Sequence, residues 1–144
     1  MAERFVLQGR GAVPGIAEGI ALLLPHSING WSGMDPLTGE ITDYSCEHCG
    51  TVMKDRILVL PGSKGSNGWS CYFGATHAAG NAPAGWLFTH IDSAAGVASA
   101  VMRIPTVVDF PPDSDPCVRI HDGDLVRIDG STGTVTVTRG EGTL

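Results

Sequence analysis

Basic residues are scarce in this chain. Nine Lys and Arg stand against fifteen Asp and Glu, a formal net charge of −6. Gripping nucleic acid takes clustered Lys and Arg that neutralise phosphates, so nucleic acid is not expected as a partner. No polybasic segment is present for an anionic membrane surface either. Long apolar runs are missing as well. The longest, GIALLLP, suits one strand and falls well short of the ~20 residues of a membrane span. The opening MAERFVLQGRG places acidic and basic residues where a secretory signal needs a long apolar stretch, so a cytoplasmic protein is expected. In that compartment the four cysteines, Cys46, Cys49, Cys71 and Cys117, read as reduced thiols rather than a disulfide framework.

What is present is apolar and turn-rich. Hydrophobic residues make up 42% of the chain, charged residues only 17%, and there are 20 glycines. That balance argues for a compact core and against disorder. A length of 144 residues suits one domain, and neither a repeat nor an internal boundary interrupts it, so a single domain over 1–144 is expected.

ERFVLQGR and GIALLLP read as strands, with the Gly- and Pro-punctuated GAVPGIAE between them. Residues 25–56 form a long stretch rich in turn formers, and a loop of that length in a compact domain is usually functional. RILVLP is continuously apolar and so predicts a strand covered on both faces. GWSCYFGATHAAG carries Trp69, Phe73, Thr76 and Ala79 at near-helical spacing, with Gly80 where a C-terminal cap belongs. AGWLFTH follows as a strand. DSAAGVASAVMR predicts a helix capped by Asp92 or Ser93, and IPTVVDF a strand, giving a parallel strand–helix–strand unit. GDLVRIDG and GTVTVTR alternate around DGSTG and predict a hairpin. The sum is an α/β protein, a strand-rich layered β/β/α domain with two or three central helices.

The stretch LPGSKGSNGWS, residues 60–70, leaves a strand and enters a helix through glycines at 62, 65 and 68. It is not a Walker A loop, because Trp69 follows the last glycine and Lys64 comes too early; the dinucleotide fingerprint fails too. Ser66 and Asn67 sit where unpaired backbone N–H groups and the helix dipole favour negative charge, and Lys64 adds a cation nearby. On the loop alone, Ser66 or Asn67 is accounted for as a helix cap. The sharper alternative makes Ser66 an alkoxide base or an oxyanion contact.

C-E-H-C at 46–49 gathers two thiols and an imidazole, but Cys71 and Cys117 are isolated and supply no second pair, so no metal site is assigned. His77 and His90 each follow a threonine. A Thr-His ahead of a helix, then IPTVV and GDLVRIDGSTGTVTV, resembles the phosphohistidine domain of phosphoenolpyruvate-utilising enzymes. His77 is too far from IPTVV, His90 a few residues too far, and Ile91 and Asp92 displace the small residues that should follow the histidine. The likeness is to a swivelling β/β/α architecture, with phosphorylation at His90 kept as the rival reading.

SINGWSGMDPLTGEITD, then ILVLPGSKGSNGWS, then NAPAGWLF, together resemble the small, swivel-type subunit of the aconitase X family. Trp31, Gly33, Asp35, Pro36, Thr38, Gly39, Ile41 and Asp43 fill the first block; Leu60, Pro61, Gly62, Gly65, Ser66 and Ser70 the second; Ala82, Pro83 and Ala84 the third. The resemblance implies a hydro-lyase small subunit, active only with a large subunit whose cysteines hold an iron–sulfur cluster. It implies Ser66 as the base, with Lys64, Gly65 and Asn67 around substrate, and Asp35 and Trp31 shaping the facing loop. Dehydration next to a carboxylate needs a base for a weakly acidic C–H, and a serine serves only in a dry pocket beside positive charge. Two departures bear on substrate. Lys64 replaces the family's arginine and lacks its two-pronged fork, and the family's histidine-proline turn is absent, with Cys46 about where the histidine would be. Low basicity near the loop favours cis-3-hydroxy-L-proline as substrate, with phosphomevalonate the alternative.

Overall fold

The computed structural model describes residues 3–28, 33–64 and 69–140. Among these, eight strands and three α-helices follow in the order β1 (Glu3–Gln8), β2 (Arg10–Val13), β3 (Ile16–Leu23), β4 (Ile57–Leu60), α1 (Trp69–Ala78), β5 (Gly85–Phe88), α2 (Ser93–Met102), β6 (Thr106–Val108), α3 (Pro116–Arg119), β7 (Leu125–Asp129) and β8 (Thr134–Arg139). A 3-10 turn, Pro112–Ser114, precedes α3.

The sheet runs β1-β8-β7-β3-β4-β5-β6-β2. β3 to β6 are mutually parallel, while β1, β8, β7 and β3 pair antiparallel. The two end strands, β1 and β2, are consecutive in the chain with only Gly9 between them, so the sheet curls back on itself. GAVPGIAE is therefore not a simple connector. Arg10–Val13 pairs with β6, and β3 already begins at Ile16. The seam is built from glycines in close approach. A Cβ on Gly11 would lie 2.2 Å from the carbonyl oxygen of Gly130, and one on Gly130 would lie 1.8 Å from that of Val13. No larger side chain fits there.

Alternation along the parallel strands divides the interior in two. Leu58 and Leu60 of β4 join Trp69, Phe73, Ala95, Ala98 and Met102 of the helices in one core. Ile57 and Val59 face the other way and pack with Leu7, Val126, Ile128, Val135 and Val137. The layers are thus helices, parallel strands and antiparallel strands, the β/β/α order expected. In the helix-side core Trp69 stacks on Trp86 with centroids 5.5 Å apart, and Phe73 meets Trp86 edge-on at 4.9 Å. The Trp86 indole N–H donates to both Ser99 Oγ and Thr106 Oγ1, so this buried donor is satisfied.

Trp69, Phe73 and Thr76 form the buried face of α1 as their spacing predicts. Ala79 does not join them, because the helix ends at Ala78 and Gly80 turns the chain with φ +81°. Asp92 caps α2, its carboxylate accepting from Ala95 N–H. Arg103 lies past the end of that helix in a left-handed conformation.

Candidate functional site

The carboxyl ends of parallel strands are where α/β folds place their working loops. Here β4 delivers Pro61–Lys64 to that edge, beside the turn that follows β5. The backbone N–H of Thr89 donates to Leu60 O and that of His90 to Pro61 O, so the two loops leave the sheet together.

The next three residues are each held by a different group. Ser27, buried and with a left-handed backbone (φ +61°), donates its hydroxyl to Gly62 O. Ser63 donates its backbone N–H to Asp92 Oδ2 at 2.8 Å and its hydroxyl to Asp92 Oδ1 at 2.9 Å. Lys64 Nζ donates to Ser45 Oγ at 3.3 Å and lies 3.7 Å from the nearly buried Asp43 carboxylate. Asp43 is itself braced by the backbone N–H and hydroxyl of Ser45. Beyond the loop, the fully buried Trp69 opens α1 and donates its indole N–H to Ile28 O. Anchors from the long loop and from α2 therefore meet on this one segment.

Of the residues singled out by sequence, Lys64 is placed at this rim. Ser66, Gly65 and Asn67, like Trp31, lie outside the described residues. Asp35 is a turn former. It accepts from Leu37 N–H at 2.9 Å through its side chain, and from Gly39 N–H at 2.7 Å through its carbonyl. The long loop is pinned to the sheet through Asp122, which meets His48 Nε2 at 3.0 Å and accepts from Leu23 N–H. His90 is exposed beside the rim, and His77 is exposed in the last turn of α1, at the far end from the loop.

All four cysteines are free thiols. Cys46 is buried and burial pushes its thiol up; Cys117 is pushed up to about 11 by the same cause. Among the described residues no three His, Cys, Asp or Glu side chains gather into a metal-holding group. These residues do not fit an iron–sulfur cluster.

Ser27, Ser63 and Asp92 were not singled out as site residues by sequence. Asp92 was legible only as a helix cap, since its second partner lies far away in the chain; Ser63 sits inside the recognised loop without a signal of its own.

Comparison with known proteins shows the family and the fold. The chain is 30% identical to the phosphomevalonate dehydratase small subunit of Pyrococcus furiosus, covering 91% of this chain and 94% of that protein. It is 30% identical to the protein of the same name from Methanocella arvoryzae, covering 90% and 96%. The fold superposes on the crystal structure of Thermococcus kodakaraensis aconitase X (holo-form) with a TM-score of 0.85 at 28% identity, covering 92% of this chain and 98% of that one. Residues 6–137 match the aconitase X swivel domain, and the chain belongs to that family.

Proposed function

We propose that this chain is the small subunit of a hydro-lyase that dehydrates phosphomevalonate together with a large subunit, with Ser66 as the base. The relatives named above support phosphomevalonate over cis-3-hydroxy-L-proline, the substrate that the loop's low basicity favoured. The observation that carries the reading is the three-point hold on Gly62, Ser63 and Lys64 at the carboxyl end of β4, directly ahead of residues 65–68. A segment held at consecutive residues by Ser27, Asp92 and Asp43 gives the adjoining residues a fixed point of departure. Such preorganisation is what proton abstraction from a weak carbon acid requires.

In this reading Ser66, as an alkoxide, takes a proton from the carbon beside the substrate carboxylate; the freed C–H electron pair becomes the new C=C bond as the hydroxyl on the neighbouring carbon leaves. Return of the proton to the departing hydroxide makes water and restores the alkoxide. Lys64 offers its ammonium to an anionic group of the substrate, and Gly65 and Asn67 line its approach. The iron–sulfur cluster belongs to the large subunit. The chain works as one swivel domain over 1–144, in the cytoplasm. Separately, no helix among the described residues is long and apolar enough to cross a membrane.

Co-expression with its genomic neighbours tests this. The chain is expected to bring down a larger, cysteine-containing protein, and the pair to turn over phosphomevalonate. Ser66→Ala in that pair is expected to lower kcat by roughly 10²–10⁴-fold without loss of assembly. Full turnover in Ser66→Ala removes the serine from its role. Turnover of cis-3-hydroxy-L-proline in place of phosphomevalonate restores the other substrate.

A further inference from the structure

A helix cap needs one oxygen and one N–H, and Ser, Thr or Asn supplies that as well as Asp. Asp92 does more. Its Oδ1 accepts from Ala95 N–H, the capping bond, at 2.9 Å and also from the Ser63 hydroxyl at 2.9 Å. Its Oδ2 accepts from Ser63 N–H at 2.8 Å. Gly62 presses against the same carboxylate, since a Cβ there would lie 3.0 Å from Oδ2. Burial alone would raise this carboxyl, but hydrogen bonds from Ala95, Ser63 and Ala94 outweigh it and hold Asp92 below the usual carboxylate range. The links to Ser63 are therefore charge-assisted, the stronger class of hydrogen bond.

We propose that Asp92 is a positioning residue for the reaction assigned above, its carboxylate fixing Ser63, three residues ahead of Ser66, against the N-terminus of α2. The proposal rests on that reading of Ser66. Position 66 lies midway between two anchors, Ser63 on Asp92 and Trp69 on Ile28 O. Without the Asp92 carboxylate the neighbours stay held, Gly62 by Ser27 and Lys64 by Ser45, but Ser63 loses its charge-assisted bonds, and misplacement of a working group by ~1 Å can cost 10²-fold in rate.

The test uses the full chain in complex with its large subunit and phosphomevalonate as substrate. Asp92→Asn keeps an oxygen for Ala95 N–H and the Ser63 hydroxyl but turns an NH2 toward the Ser63 N–H, so the cap survives and the backbone half of the clamp does not. Its kcat is expected to fall about tenfold or more with KM little changed. Hydrogen exchange at the Ser63 amide is expected to accelerate in the same variant. Ser63→Ala removes the hydroxyl bond to Asp92, leaves the cap untouched, and is expected to lower kcat by a smaller factor. Combining the two substitutions removes both bonds between Asp92 and Ser63 and is expected to lower kcat further than either alone. If Asp92→Asn fails to assemble, Ser63→Ala decides by itself. Unchanged kcat together with unchanged exchange at residue 63 reduces Asp92 to a cap and overturns the proposal. The exchange readout does not depend on chemistry at residue 66, so a Ser66→Ala enzyme with full turnover sinks the base assignment while the clamp is still decided separately.

Discussion

The antiparallel and parallel halves of this sheet are held together by different means. On the antiparallel side, β1, β8 and β7 bury one face, expose the other, and close against β2 through bare glycine backbone. Its ionic groups are spent on the fold itself. Arg139 grips Asp124 with two N–H groups at 2.9 and 2.7 Å, reaches Glu3 at 3.1 Å, and with Arg119 stands over the Phe5 ring. On the parallel side the strands are buried on both faces, so stability comes from aromatic packing in the interior. The polar groups there gather at the strand ends, where they hold loops. One half puts its ion pairs into the frame; the other packs an aromatic core and gathers its polar groups at the strand ends that carry the loops.

Glycine substitutions probe that contrast most strongly, because the two halves predict opposite signs. Gly130→Ala drives a Cβ into backbone, 1.8 Å from Val13 O and 3.2 Å from Thr106 N, with no flexible side chain to yield. It is expected to cost roughly 3 kcal/mol or more, a large fraction of the stability of a domain this size. In α1, a Cβ on Gly74 meets only Val101 Cγ1, at an ordinary 3.6 Å. Gly74→Ala is expected to stabilise by about 0.5–1 kcal/mol through helix propensity. Urea unfolding of both variants checks the pair. Equal effects would mean that the seam is no tighter than a helix surface.

Much of this frame was legible in the chain, for reasons that are local. The alternation in LVRID and TVTVTR around a Gly-containing turn gives the β7–β8 hairpin, and the buried spacing of Trp69, Phe73 and Thr76 gives α1. β2 was not legible. Arg10–Val13 is short, starts beside Gly9 and carries no period, and it is a strand because β6 lies alongside it. The candidate site divides the same way. The Gly-Ser loop and Lys64 stand out as a motif. The clamp by Asp92 does not, because Asp92 and Ser63 are 29 residues apart and only the parallel crossover brings them together. Ser27 is hidden for a further reason: its left-handed backbone aims the hydroxyl, and nothing in SIN predicts that φ.

The next effect in size separates structural charge from working charge. Arg139→Met leaves the Asp124 carboxylate 1% exposed with only the His121 N–H, at 2.8 Å, donating to it among the interactions described. Breaking a buried pair in this way is expected to cost roughly 3 kcal/mol at pH 7. The pH dependence follows from the direction of the shift. Burial pushes Asp124 up, but the bonds and charge of Arg139 and the His121 N–H outweigh it, so the folded carboxyl titrates below its usual value. A depressed carboxyl stabilises above the unfolded value of roughly 3.9, and that contribution fades as pH falls through the lower folded value. The gap between wild type and Arg139→Met is therefore expected to be widest near neutrality and to shrink in acid. Urea midpoints at pH 7 and pH 3 measure it. A gap independent of pH would show that Arg139 acts through its guanidinium on the Phe5 ring rather than through Asp124.

Lys64 is the counterpart of Arg139 on the site side, and its removal is expected to leave stability almost untouched. Its ammonium is only 3.7 Å from Asp43, its side chain is 36% exposed, and Asp43 keeps the two donors of Ser45 when Lys64 is lost. Pairs of this kind are worth about 0–1 kcal/mol. A partly exposed pair contributes little net free energy to folding even where it orients the chain, which leaves the ammonium available to an anionic substrate at small cost. Lys64→Met is accordingly expected to shift the urea midpoint by less than Arg139→Met does, while raising KM for phosphomevalonate about tenfold with kcat nearly intact, the signature of lost uniform binding. Lys64→Arg is expected to restore or improve KM, since a guanidinium grips an anion at two points. The opposite pattern, a destabilised subunit with unchanged KM, would place Lys64 among the structural ion pairs and erase the distinction between the two halves.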